Sequence, residues 1–346
     1  MDRLLKHFSL RRIADTELRV VSDMESGVGS LAEVEQEVIA KYAATPRWRQ
    51  EVITLFVLKD LEPLVRQLSE GAALPPGGLA VLGQRPIVNV YDLENPGACH
   101  LFINQRAMEK EGYWDDREAV KGLLAHEHAH PMSECETTRS ARRLQADLST
   151  DGVRPLFPSQ AQEKEWQTKV DRLLAVVVDK LCLYAPREVF ANDVTIESNF
   201  TAPLLYLDKK NVLNAAKGAR SKAALRQRLQ EEVERSSLTS AGADLLLVIA
   251  DMHGHLDLAM ETASFYRQGK VTEAKELEDM LFAEVTPYLE PPVAEAYPRL
   301  RDQYVQLSQD TSPEELVQFE GSLLGILAAV VKEKGLRLEY SLRVAP

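Results

Sequence analysis

The sequence predicts a predominantly helical α+β protein with one small β-sheet and a helical C-terminal region. Three observations lead there. Apolar residues recur at three-to-four spacing through most of the chain, the pattern of amphipathic helices. Two short β-prone runs, Ile87–Tyr91 and His100–Asn104, flank the turn signal Asn95-Pro96-Gly97 and read as a hairpin or as two edge strands. Leu336–Val344 alternates apolar with polar residues and reads as a last strand.

Taken in order, residues 1–69 read as helical, with Leu31–Tyr42 and Glu51–Leu68 carrying the periodicity and Pro46 breaking it. Gly71–Gly83, rich in proline and glycine, reads as a loop. After the two strand candidates, Asp115 or Asp116 caps a helix running from about Asp116 to His130; Asp115 with Glu118 fits a capping box. Pro131 lacks an amide hydrogen, so this helix should end or kink at His130, and a second should resume near Ser133 and reach Leu148. Asp151–Gln160 is a loop, and Glu163–Tyr184 a long helix. Its wide apolar face (Trp166, Val170, Leu173, Leu174, Val177, Val178, Leu181) is expected to pack against the helix at Asp116–His130 and to present Glu188 to it. Pro186 then separates it from a helix starting near Arg187. Lys222–Arg235, Ala241–Gln268, Thr272–Leu281, Val293–Leu307 and Pro313–Lys334 complete a helical C-terminal half, in which Tyr266–Ala274 reads as an ordinary helical hairpin turn. The expected division is an N-terminal helical region (1–85), a metal-binding core (86–205) and a C-terminal helical region (206–346).

Composition bounds the function. The chain has 346 residues, 45% of them apolar, enough for one large domain or two ordinary ones. Its net charge of -12 repels phosphate backbones, so nucleic acid is not an expected partner. Three scattered cysteines form no disulfide framework and no Cys-x-x-Cys pair, which points to a reducing compartment. The N-terminus reads as no secretory peptide, and the apolar runs Leu173–Val178, Leu245–Ala250 and Leu323–Val331 are too short to span a bilayer. The expectation is a soluble, cytoplasmic protein that takes no membrane partner.

The chemistry is concentrated in His126-Glu127-His128-Ala129-His130. Residues four apart share a helix face, so His126 and His130 can aim both imidazoles at one ion. Imidazole suits Zn2+. Glu127 then stands where a general base can take a proton from a water bound to that ion as it attacks a carbonyl. His128 falls between the ligands and reads as a supporting or surface residue. A catalytic zinc usually takes three protein ligands. Glu188, opening a helix in Pro186–Asp193, is the favoured third ligand, with Glu134 and Glu136 as local alternatives. Asn192, one turn after Glu188, and Asp193 beside it can hydrogen-bond the outer nitrogen of a ligand histidine. An oxyanion also needs a stabiliser; His253, His255 and Tyr184 are the candidates, with Tyr206 behind them.

An HExxH motif followed at a distance by a helix-borne glutamate resembles the gluzincin metallopeptidases, and most nearly the M48 peptidases. The matching residues are His126, Glu127, His130 and then Glu188-Val189-Phe190-Ala191-Asn192, where Asn192 stands in place of the family's aspartate and Pro131 follows the second histidine at once. The resemblance covers about residues 86–197. It implies a zincin-like core and peptide-bond hydrolysis, with a peptide or protein substrate lying along an edge strand: His100–Asn104, or else Ile87–Tyr91. Two other readings use the same residues differently. One is a non-peptidase metal-dependent amidohydrolase. The other is a helical interaction protein with a structural or vestigial metal site.

Overall fold

The structure, a computed structural model, describes residues 6–71, 83–93, 95, 97–152 and 156–344. Most of the loop expected at Gly71–Gly83 therefore lies outside the described residues, as do Pro96 and Pro155. The fold is α+β, mostly helical, with a small mixed sheet and a helical C-terminal region. The chain forms two compact units, one of residues 1–132 and 194–207, the other of residues 133–193 and 208–346.

The first unit opens with an antiparallel hairpin, β1 (His7–Ile13) and β2 (Thr16–Ser22). Helix α1 (Val28–Ala43) then crosses over to β3 (Val52–Leu58), which lies parallel to β2. Such a parallel connection needs a crossover of about this length. α2 (Glu62–Gly71) follows, and β4 (Ile87–Tyr91) pairs with β5 (Ala98–Asn104) as an antiparallel hairpin. β5 lies parallel to β3, and the sheet order is β1-β2-β3-β5-β4. α3 (Gln105–Glu111), capped by Asn104, leads to α4 (Arg117–Met132), the helix that carries the HExxH motif. Leu18, Val20, Ile53, Leu55, Val57, Leu101 and Ile103 are buried in the sheet, and α1 packs against α4. α4 also closes tightly on residues 194–207. A methyl group at Gly122 would stand 2.4 Å from the Pro203 carbonyl oxygen, so only glycine fits.

The second unit contains α5 (Glu136–Arg143), β6 (Leu144–Gly152), α6 (Gln160–Val178), a π-helical turn at Asp179–Leu183, α7 (Ala185–Glu197) and α8 (Thr201–Glu234). Residues 194–197 of α7 and 201–207 of α8 belong to the first unit. Helices α9 (Ser240–His255), α10 (Leu258–Arg267), α11 (Val271–Glu284), α12 (Pro291–Gln306) and α13 (Pro313–Glu333) follow. β7 (Leu336–Val344) closes an antiparallel ribbon with β6. α13 starts with a full capping box between Ser312 and Glu315.

The fold corrects several expectations. The N-terminal region is not all helical: residues 7–22 form a hairpin and 52–58 a central strand. Val52–Leu58 is apolar except for the buried Thr54 and rich in β-branched residues, as an interior strand requires, and its join to Leu61 and Val65 mimics helical spacing. Leu144–Leu148 is strand rather than helix, because its partner β7 lies near the far end of the chain. Ala241–Gln268 is two helices, broken at residues 256–257. α6 packs its buried side on β6 and α9. The motif helix does end at the proline, as expected: α4 stops at Met132, one residue past Pro131, and α5 begins at Glu136; the cap of α4 is Asp116, whose Oδ1 accepts from the Ala119 amide at 3.2 Å.

Candidate metal centre

The motif helix is built to hold its last turns rigid. Ala119, Val120, Leu124, Ala125 and Ala129 bury one side of α4. Three side chains from other elements bind its main chain there. Tyr42 of α1 donates its hydroxyl to the Ala125 carbonyl at 2.8 Å, Asn89 of β4 donates Nδ2 to the Glu127 carbonyl at 2.6 Å, and Gln50 donates Nε2 to the His128 carbonyl at 3.5 Å.

On this helix His126 and His130 lie edge to face, with ring centroids 4.7 Å apart and planes at 82°. His130 is buried; His126 and Glu127 are half-buried. Glu188 stands in the first turn of α7, its amide donating to the Tyr184 carbonyl at 3.3 Å. One ligand atom each from His126, His130 and Glu188 lies within 4.8 Å of the others. A tetrahedral ion at about 2.1 Å from its ligands holds them roughly 3.4 Å apart. Modest side-chain rotations therefore close this group on one cation. Two imidazoles and a carboxylate are a donor set that fits zinc, and the three residues can hold a metal ion.

The other expected residues divide. His128 is no surface residue: it is wholly buried, with Nε2 2.8 Å from Glu35 Oε1 and Nδ1 2.9 Å from Gln50 Oε1. Both ring nitrogens thus face oxygen acceptors, and the Trp48 and Tyr42 rings wall the imidazole in. Glu134 pairs with Arg142, and Glu136 opens α5. Asn192 and Asp193 are both buried; Asp193 is gripped by Arg267, whose Nε and Nη2 donate to its Oδ2 at 3.0 and 2.9 Å. Arg267 also reaches the carbonyls that end α12, so this aspartate ties α7 to α10 and α12.

Among the oxyanion candidates, His253 and His255 stand in the last turn of α9 rather than in mid-helix. Burial lowers both imidazoles below their ordinary pKa, with Lys180 adding to the effect at His253. Tyr184 is exposed at the end of the π-helical turn. Tyr206 donates its hydroxyl to Asp116 at 2.9 Å, at the opposite end of α4. Ten residues of helix separate that cap from His126, about 15 Å, so Tyr206 is not an oxyanion donor.

β5, the first choice for a substrate-binding edge, is interior to the sheet, between β3 and β4. The edge beside the motif helix is β4. Asn89, Gln50 and Glu35 support the site without having been expected to. Each is a polar residue at a core-facing position, Asn89 in the apolar run Ile87–Tyr91 and Glu35 among Leu31, Val34 and Val38.

No protein-family profile matches the chain, and no curated protein or solved structure is significantly similar to it. Among the described residues, no helix is long and apolar enough to cross a membrane.

Proposed function

We propose that this protein is a zinc-dependent hydrolase, specifically a metallopeptidase that cleaves peptide bonds with Glu127 as general base. The observation that carries the reading is the convergence of His126, His130 and Glu188 around an HExxH helix. A bound zinc would supply Lewis acidity, polarising a carbonyl and making a water molecule more acidic. His126 and His130 would each hold it through one ring nitrogen, and Glu188 through a carboxylate oxygen. The Glu127 carboxylate would accept the proton of the attacking water and return it to the departing amide nitrogen. Asn192, one turn after Glu188, would orient a ligand imidazole.

The edge position of β4 favours peptides over small amides. Asn89 ties this strand to the main chain of Glu127 itself. An extended peptide adding to β4 through main-chain hydrogen bonds would therefore lie alongside the general base.

The test pairs metal content with turnover. Wild type is expected to carry about one equivalent of zinc and to cleave an unstructured peptide mixture, read by mass spectrometry. Glu127→Gln should keep the zinc and lose cleavage. Full activity in Glu127→Gln rejects the general base, and equal metal in wild type, His126→Ala and His130→Ala rejects the site.

A further inference from the structure

Pro131 sits inside α4 one residue after the second histidine of the motif. In an α-helix the carbonyl of residue 127 takes its hydrogen bond from the amide of residue 131. Proline has no amide hydrogen there, and helices interrupted in this way usually bend or stop. α4 ends one residue later, at Met132. The missing donor comes from the sheet: Asn89 Nδ2 donates to the Glu127 carbonyl oxygen at 2.6 Å.

The amide of Asn89 is itself held. Cys99 on β5 donates its thiol to Asn89 Oδ1 at 3.0 Å, which fixes which end of the amide faces the helix. Burial, and then the charges of Glu35 and Glu127, push the Cys99 thiol well above its usual range. It therefore stays protonated and remains a donor. Register makes the arrangement possible. Tyr91 pairs with Cys99 and Asn89 with Leu101, so Asn89 and Cys99 are diagonal neighbours on the face of the sheet that buries Leu101.

We infer that Asn89, oriented by the Cys99 thiol, is a positioning residue that replaces the main-chain hydrogen bond Pro131 cannot make. The turn from Glu127 to Pro131 contains the general base and His130. Closing it keeps His130 one helical turn from His126 and anchors Glu127 to the edge strand. The hydrogen bond stands on geometry alone; its consequence for metal binding rests on the proposed function.

The test is a double-mutant cycle. Asn89→Leu removes the donor at similar volume, and Pro131→Ala restores the main-chain amide. Zinc affinity is read by competition with a chromogenic chelator, and thermal melting is read on the zinc-free protein. Asn89→Leu should weaken zinc about 10- to 100-fold, the usual range for groups that orient metal ligands. In the Pro131→Ala background the same substitution should cost threefold or less. The melting temperature should show the same coupling. Cys99→Ser, which keeps a donor, should bind zinc like wild type, whereas Cys99→Val should share part of the loss.

An equal penalty for Asn89→Leu in both backgrounds, or none in either, overturns the inference. Asn89→Asp, isosteric but without the N–H, takes its place should the leucine variant not fold. A wild type that binds no zinc, with coupling intact in the melting cycle, rejects the metal reading and upholds the hydrogen bond.

Discussion

His128 shows how a residue inside the metal motif can serve the core instead. Its ring and the carboxylate of Glu35 are both fully buried, 2.8 Å apart, and the other Glu35 oxygen has no hydrogen-bond partner among the described residues. Replacing His128 with leucine strands a carboxylate that is already only half satisfied. Breaking a buried pair from one side costs about 3–5 kcal/mol. In a chain of this size each kcal/mol is worth roughly 2 °C, so His128→Leu should melt about 6–10 °C below wild type. Adding Glu35→Leu removes the stranded group. Because replacing a whole buried pair with apolar residues is often neutral, the double variant should recover to within about 2 kcal/mol of wild type. Circular dichroism melts of the two single variants and the double variant measure the cycle, and zinc analysis well below each melting point reads the site. His128→Leu should still hold its zinc. A single variant as stable as wild type, or a double variant no better than the single, would refute the reasoning; loss of zinc with the fold intact would make His128 a ligand.

Three further outcomes follow from other parts of the fold. Gly122→Ala gains about 1 kcal/mol of helix propensity but drives a methyl against the Pro203 carbonyl, at an overpacking cost of up to about 3 kcal/mol; urea titration should show a net loss. Glu320 on α13 is fully buried, neither carboxylate oxygen is hydrogen-bonded among the described residues, and burial pushes its pKa up to about 8. Since the folded chain then holds a proton that the unfolded chain releases near the ordinary glutamate value of 4.5, wild-type stability should fall as pH rises between these values and level off above. The gain from Glu320→Gln should be small at the acidic end and grow to a plateau near pH 8, and a pH-independent gain in thermal melts would contradict the assignment. Arg267→Ala leaves Asp193 buried without its guanidinium and should cost about 3 kcal/mol or more by chemical denaturation; a loss under about 1 kcal/mol would show that the pair contributes little.

Local signals were readable in the sequence and distant pairings were not. HExxH could be read because i and i+4 share a helix face whatever the surroundings, and Pro186 with the apolar residues after it marked the helix whose first turn holds Glu188. β4, β5 and β7 alternate or carry β-prone runs beside turn signals, so they too were legible. β3 and β6 were not. An interior strand has no polar alternation to separate it from a buried helix, and β6 is defined by a partner at the other end of the chain. Pro131 marks the end of the motif helix, as its missing amide requires, but nothing local shows that Asn89, 38 residues before Glu127, meets the Glu127 carbonyl. The polar character of Asn89 and Glu35 at apolar positions was visible; which groups they would meet was not.

The most direct test is a crystal structure of the zinc-loaded protein with anomalous diffraction at the zinc edge. One peak is predicted, about 2.0–2.2 Å from an imidazole nitrogen of His126, one of His130 and a carboxylate oxygen of Glu188. A fully occupied zinc held elsewhere, or held by the two histidines with Glu188 turned away, would contradict the assignment.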